Sequence, residues 1–220
     1  SARRPLFIFV CYWPARVDDL LEMWRRIPED LRPFCGIKLG WSARFIRSAT
    51  PEDFLKVAEE ALSAADREGI PLFLHLLPCL AEHLLRQHPS LKGLTTCEVA
   101  RKWVNRPLRR KATLALVKLA AKYGRLFIWR EPYWGFDVWN YVNFEDEEAQ
   151  EVFRKFGRNI VLLWKMNSHD LPLLYQSHLL GWWLSGAICA WGTSCEVWYW
   201  KTAGYGRLGE HGRGEPANVA

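Results

Sequence analysis

Leu91-Lys92-Gly93-Leu94-Thr95-Thr96-Cys97-Glu98 is followed by a helical stretch that Asn105 and Pro107 open and Gly124 closes, and then by Leu126-Phe127-Ile128-Trp129-Arg130-Glu131. This tract decides the fold. Its two apolar runs are short, rich in β-favouring residues and bounded by turn residues, as buried strands are. Between them Leu108, Ala112, Ala115, Leu116 and Leu119 recur at helical spacing, giving that stretch one apolar side. Strand, helix and strand over residues 91–131 make a βαβ unit, because a parallel neighbour can be reached only by a crossover.

The pattern continues in both directions. Upstream lie strand-like runs at 6–10, 35–39 and 71–77, with helical spacing at 20–27 and 80–87. Thr50, Pro51 and Asp53 form a helix start of hydroxyl cap, proline and capping acid, and Gly69 ends that helix. Downstream, 145–156 reads as a helix, 160–164 as a strand and 171–183 as a helix, with further strand at 187–191 and 197–200. Six or seven β/α units favour an α/β fold of the (β/α)8 TIM-barrel type, irregular at its C-terminal end. Complete barrels take about 250 residues, so this chain of 220 reads as one unit short. No GxGxxG or GxxxxGK[ST] loop follows an early strand, which argues against a nucleotide-binding sheet. Residues 1–202 are expected to form the barrel domain and the Gly-rich residues 203–220 a flexible tail.

Thirteen tryptophans stand out more than the net charge of +6. Indole faces suit the C–H faces of sugars, whereas a modest basic balance permits nucleic-acid contact without requiring it. The densest basic run, Arg101, Lys102, Arg106, Arg109, Arg110 and Lys111, spreads around its helix and reads as a solvated face, so no nucleic-acid partner is expected. No apolar stretch of about 18 residues suggests a membrane span. The first residues run into a strand without a signal-peptide pattern. The six cysteines form no CxxC pair and the histidines no HxxxH or HxH spacing, so neither a metal nor a cofactor is expected.

Active-site groups of a barrel sit at the C-terminal ends of its strands. Glu98, Glu131 and Glu196 fall at such places, with Trp103, Trp129, Trp134, Trp191 and Trp198 close by in sequence. One such acid alone is commonly a helix cap or a surface charge, and an aromatic cluster is commonly packing. Together they fit glycoside hydrolysis, which needs one carboxylic acid for the leaving oxygen and one carboxylate for water or carbon. His169 is a candidate for binding a sugar hydroxyl. Asp170 joins it in the same polar cluster or caps the following helix. His75 reads as an interior histidine.

In the order of its segments the chain resembles glycoside hydrolase family 98, whose catalytic domain is a (β/α)8 barrel. The pieces that carry the resemblance are Ile27-Pro28-Glu29-Asp30-Leu31-Arg32-Pro33-Phe34, His88-Pro89-Ser90-Leu91-Lys92-Gly93, Leu119-Ala120-Ala121-Lys122-Tyr123-Gly124, and Leu184-Ser185-Gly186 through Trp191-Gly192 to Glu196. The resemblance implies cleavage of internal β-galactosidic bonds in blood-group-type glycans with inversion, and a secreted enzyme. It casts Glu98 as general acid and Glu196, where the family usually has Asp, as one of two water-activating acids; no segment here matches the second. Glu131 is a third pocket carboxylate on this reading. The alternative is a catalytically silent carbohydrate-binding protein on the same scaffold.

Overall fold

The computed structural model describes residues 6–13, 17–41, 49–97, 107–131, 141–166 and 172–195. Its strands are β1 (Phe7–Trp13), β2 (Cys35–Trp41), β3 (Leu72–Leu74), β4 (Leu91–Cys97), β5 (Leu126–Glu131), β6 (Ile160–Met166) and β7 (Ala190–Cys195). Its α-helices are α1 (Val17–Arg25), α2 (Pro51–Glu68), α3 (Pro78–Gln87), α4 (Pro107–Lys122), α5 (Glu147–Phe156) and α6 (Pro172–Leu184). The strands follow chain order in the sheet, β1-β2-β3-β4-β5-β6-β7. Each crossover thus advances one strand in the same sense, which is barrel winding; a doubly wound sheet reverses its order. The expected α/β class and barrel type are what the structure has.

Two compact units hold the chain's internal contacts, residues 1–96 with 111–128, and residues 97–110 with 129–220. In the first, β1 to β4 pair in parallel with Phe7 opposite Cys35, Ile37 opposite Leu72, and Phe73 opposite Gly93. The Phe73 ring lies across its neighbours, where Gly36 and Gly93 leave room for it. A Cβ on Gly36 would stand 2.6 Å from Cε2 of Phe73, and one on Gly93 would stand 2.7 Å from the Leu126 carbonyl oxygen. One large ring between two absent side chains fills that face of the sheet. The other face packs on helices through Ile37, Leu39, Leu72 and Leu74, with Ala58, Ala61, Leu62 and Ala65 of α2 fully buried.

The expected start of α2 is present in full. Thr50 Oγ1 accepts from the Asp53 amide at 3.2 Å, and Asp53 accepts from the Thr50 amide at 2.8 Å. At its other end Gly69 takes φ +67°, where a side chain would be strained, and the Ile70 amide reaches the Ala65 carbonyl at 2.9 Å. The His88–Gly93 motif is a structural joint: Asp66 of α2 accepts from the Ser90 amide at 2.8 Å and meets Nδ1 of His88 at 2.7 Å. Its carboxyl lies below the ordinary range. Burial pulls the other way, and the His88 and Ser90 hydrogen bonds outweigh it.

In the second unit β6 and β7 pair in parallel, Leu162 opposite Trp191 and Lys165 opposite Ser194. Its core is an aromatic chain. Trp129 of β5 packs on Phe153 of α5 at 6.1 Å between centroids, and Phe153 on Trp182 of α6 at 5.8 Å. Trp182 donates its Nε1–H to Asn143 at 2.9 Å. Close to the end of α6, it is packing, at 2% exposure.

Several boundaries differ from expectation, and three of them have a local cause. β3 ends at Leu74 because its ladder to β2 spans only Leu72 to Leu74; Leu77, just before Pro78, has the extended backbone that proline imposes on its predecessor. The helix expected from 145 begins at Glu147, after a π-type turn at Tyr141–Glu145, with Asp146 as its cap. The last strand starts at Ala190, not 187. Ala187 is used to close α6 through the Trp182 carbonyl, and Cys189 donates its amide to Ile160 at 2.9 Å. Among the described residues Cys11, Cys35, Cys79, Cys97 and Cys189 stand outside any disulfide, and burial pushes the thiols of Cys11 and Cys35 up.

Candidate active site

The strand ends of the second unit show which side chains share a face. Along β5, Trp129 and Glu131 point to one side and Arg130 to the other, since side chains alternate. The Trp129 side is the one covered by α5, because that ring rests on Phe153. Trp129 donates its Nε1–H to Glu131 Oε1 at 2.7 Å. Both residues are buried, Trp129 at 0% exposure and Glu131 at 1%.

Trp129 therefore cannot be a sugar platform, because no ring face is accessible; that expectation is corrected. Glu131 stands at the strand end as expected, but buried on the helix-covered side and tied to Trp129. Trp191 is 37% exposed. It lies on the β7 face shared with the buried Leu162, while Ser194 and Gly192 point the opposite way. It does not share a face with a polar side chain that, among the described residues, reaches the end of β7 from across the sheet.

That side chain is Arg130, whose Nη1 donates to Ser194 Oγ at 3.1 Å. It was not anticipated from the sequence. Its signal was a cation beside Glu131 at the end of an apolar run. Glu98, Trp103, Trp134, His169, Asp170, Glu196 and Trp198 lie outside the described residues, as does the tail 203–220.

A second ionic group flanks the segment that begins with Glu98. Arg110, in the first turn of α4, holds the buried Asp146 through Nε and Nη2, both at 2.5 Å, and Glu148 through Nη1 at 2.9 Å. Asp146 meanwhile caps α5 by accepting from the Ala149 amide at 3.0 Å. Arg110 was expected on a solvated face; its side chain is only 18% exposed. These contacts also push its guanidinium pKa up.

In the first unit, a groove of about 630 Å³ runs between β1 and α1, lined by Phe7, Phe9, Met23, Ile27 and Leu31 among others. Its lining is mostly apolar, and its two acids, Asp19 and Glu22, both stand on α1, where Arg26 engages Glu22. It lacks the opposed carboxylates that sugar chemistry requires. Among the described residues no three His, Cys, Asp or Glu side chains gather as a metal site would, and no helix is long and apolar enough to cross a membrane.

Comparison with known proteins places this architecture. The family model described as glycosyl hydrolase family 98 matches residues 1–218. A blood-group-substance endo-1,4-beta-galactosidase of Clostridium perfringens is 25% identical over 221 residues, covering 89% of this chain and 27% of that protein. Two crystal structures of a family 98 catalytic module from Streptococcus pneumoniae TIGR4 share the fold. The native form has a TM-score of 0.78, and the complex with the H-disaccharide blood group antigen 0.76; both are 24% identical. Each alignment covers 90% of this chain and 39% of the module, so the chain spans well under half the length of these relatives. With the model matched over nearly all its residues and the fold shared, the chain belongs to glycosyl hydrolase family 98.

Proposed function

We propose that the protein is a glycosidase that cleaves internal β-galactosidic bonds in blood-group-type glycans by an inverting acid/base mechanism. The observation that carries this is the family match over residues 1–218, joined to a fold shared with modules that bind blood group antigens. Glu98 acts as general acid: it protonates the glycosidic oxygen as the bond to the anomeric carbon breaks. Glu196 acts as general base and takes a proton from the water that attacks the opposite face of that carbon. An inverting pair stands about 6.5–9.5 Å apart to admit that water.

Trp103, Trp134 and Trp198 supply apolar walls for the sugar rings, and His169 and Asp170 are partners for hydroxyls. Such walls also raise the pKa of a neighbouring acid, which keeps Glu98 protonated near neutrality. Glu131 has a structural task in this scheme, since its carboxylate is buried against Trp129. Trp191 is left out of the walls because it faces away from Ser194.

Turnover of a blood-group oligosaccharide by Glu98→Gln and Glu196→Gln tests the assignment. Each change should lower kcat by on the order of a thousandfold or more, since each removes a proton-transfer group. Wild-type rates in either variant would overturn its role. Tight glycan binding by the unsubstituted chain with no hydrolysis product would replace the enzyme by a carbohydrate-binding protein.

A further inference from the structure

We propose that Arg130 is a positioning residue for this reaction, acting through Ser194 to set the end of β7 from which Glu196 follows. The inference rests on reading Glu196 as the water-activating carboxylate. β5 and β7 are not neighbours, since β6 lies between them. Adjacent strands are about 4.8 Å apart, so a side chain joining alternate strands spans about 10 Å of sheet. Only a long side chain laid across the middle strand can do this, and Arg130 does, with its 3.1 Å bond to Ser194 Oγ.

Where the bond falls gives it consequence. Among the described residues β7 is last in the strand order, and its ladder to β6 ends at Met166 opposite Cys195. Ser194 stands one residue before that end and two before Glu196. The next side-chain position on the same face is Gly192, which contributes nothing to hold the strand. Among the described residues β7 is paired along one side only; a strand so tied has a soft end, and a base must be held to within about half an ångström of its productive place. Arginine suits the task because it stays charged across the working pH range and its planar fork keeps a fixed direction. Arg130 also points away from the Trp129–Glu131 core pair, so the core does not account for it.

Four variants test the proposal on an oligosaccharide bearing the Lewis Y determinant: Arg130→Ala, Arg130→Lys, Ser194→Ala and the double Arg130→Ala/Ser194→Ala. Misplacement by about 1 Å can cost a hundredfold, so Arg130→Ala should lower kcat by roughly tenfold to a hundredfold with KM changed less than about threefold. Arg130→Lys should recover part of the loss. The double variant should be no slower than Arg130→Ala, because both single changes break one bond. Amide exchange over residues 190–195 should quicken in Arg130→Ala while the melting temperature stays within a few degrees.

Losses that multiply in the double variant, an unchanged kcat, or unchanged exchange at 190–195 would each overturn it. Inactive Glu196→Gln beside a flat Arg130 series defeats the positioning role alone. An active Glu196→Gln defeats the underlying reading, and the exchange measurement still decides whether Arg130 holds β7.

Discussion

Replacing Asp146 by alanine removes two supports at once, and the structure fixes how large the loss should be. The carboxylate is 2% exposed, is held by Arg110 through two nitrogens, and caps α5 through the Ala149 amide. Loss of the cap costs about 1 kcal/mol. Loss of the pair leaves a guanidinium, 18% exposed, with Glu148 as a remaining partner that is itself 44% exposed. Breaking a fully buried pair from one side costs about 3–5 kcal/mol, and the surviving partner moves this case to the low end or below. Asp146→Ala should therefore lose about 3 kcal/mol in urea unfolding at pH 7 with an unchanged m-value.

Acidity supplies the second half of that test. Burial would raise the Asp146 pKa, but the Arg110 hydrogen bonds and charge, with the Ala149 and Glu148 amides, outweigh it and hold the carboxyl below its ordinary value. A depressed folded pKa means stability that is fully present above the unfolded value, about 3.9, and lost as pH falls through the folded one. The gap between wild type and Asp146→Ala should narrow in acid. Arg110→Ala strands the carboxylate instead, so its penalty should begin to relax at a higher pH, when the stranded group takes a proton. A loss under about 1 kcal/mol for Asp146→Ala, or a gap as wide at pH 3 as at pH 7, would refute the reasoning.

Two further outcomes follow from packing. Gly93→Ala should destabilise the fold by about 1–3 kcal/mol in the same unfolding assay, because its Cβ meets a backbone carbonyl as well as the Phe73 ring; Phe73→Leu should recover only the ring's share. Trp129→Phe keeps most of the contact with Phe153 but leaves the buried Glu131 without its indole donor, a loss of about 1–3 kcal/mol measured by thermal or urea unfolding. Adding Glu131→Leu to Trp129→Phe should return part of it.

The turns that enter the strands were plain in the sequence, and they also carried the family resemblance. His88 and Ser90 engage Asp66, Arg32 donates its Nε–H to the Ile27 carbonyl at 3.0 Å, and Tyr123 reaches Glu82 at 3.0 Å. These contacts secure the starts of strands, where a barrel keeps its stability; its chemistry sits at the other ends. A family can thus be read from residues that take no part in its reaction.

By itself the sequence determined the succession of strands and helices, the cap of α2 at Thr50 and its close at Gly69, because these depend on residues within a turn or two of one another. Tertiary structure alone decided which tryptophans and acids are buried. Trp129 and Trp191 both lie in short apolar strands, yet the first is sealed by Phe153, 24 residues further on, and the second is open to solvent. Period-two alternation tells which side chains share a face, but not which face a helix will cover. The same holds for Arg130 and Ser194, 64 positions apart in sequence and joined across β6. Their contact exists only because two crossovers return the chain to the same sheet, and no local pattern encodes that distance.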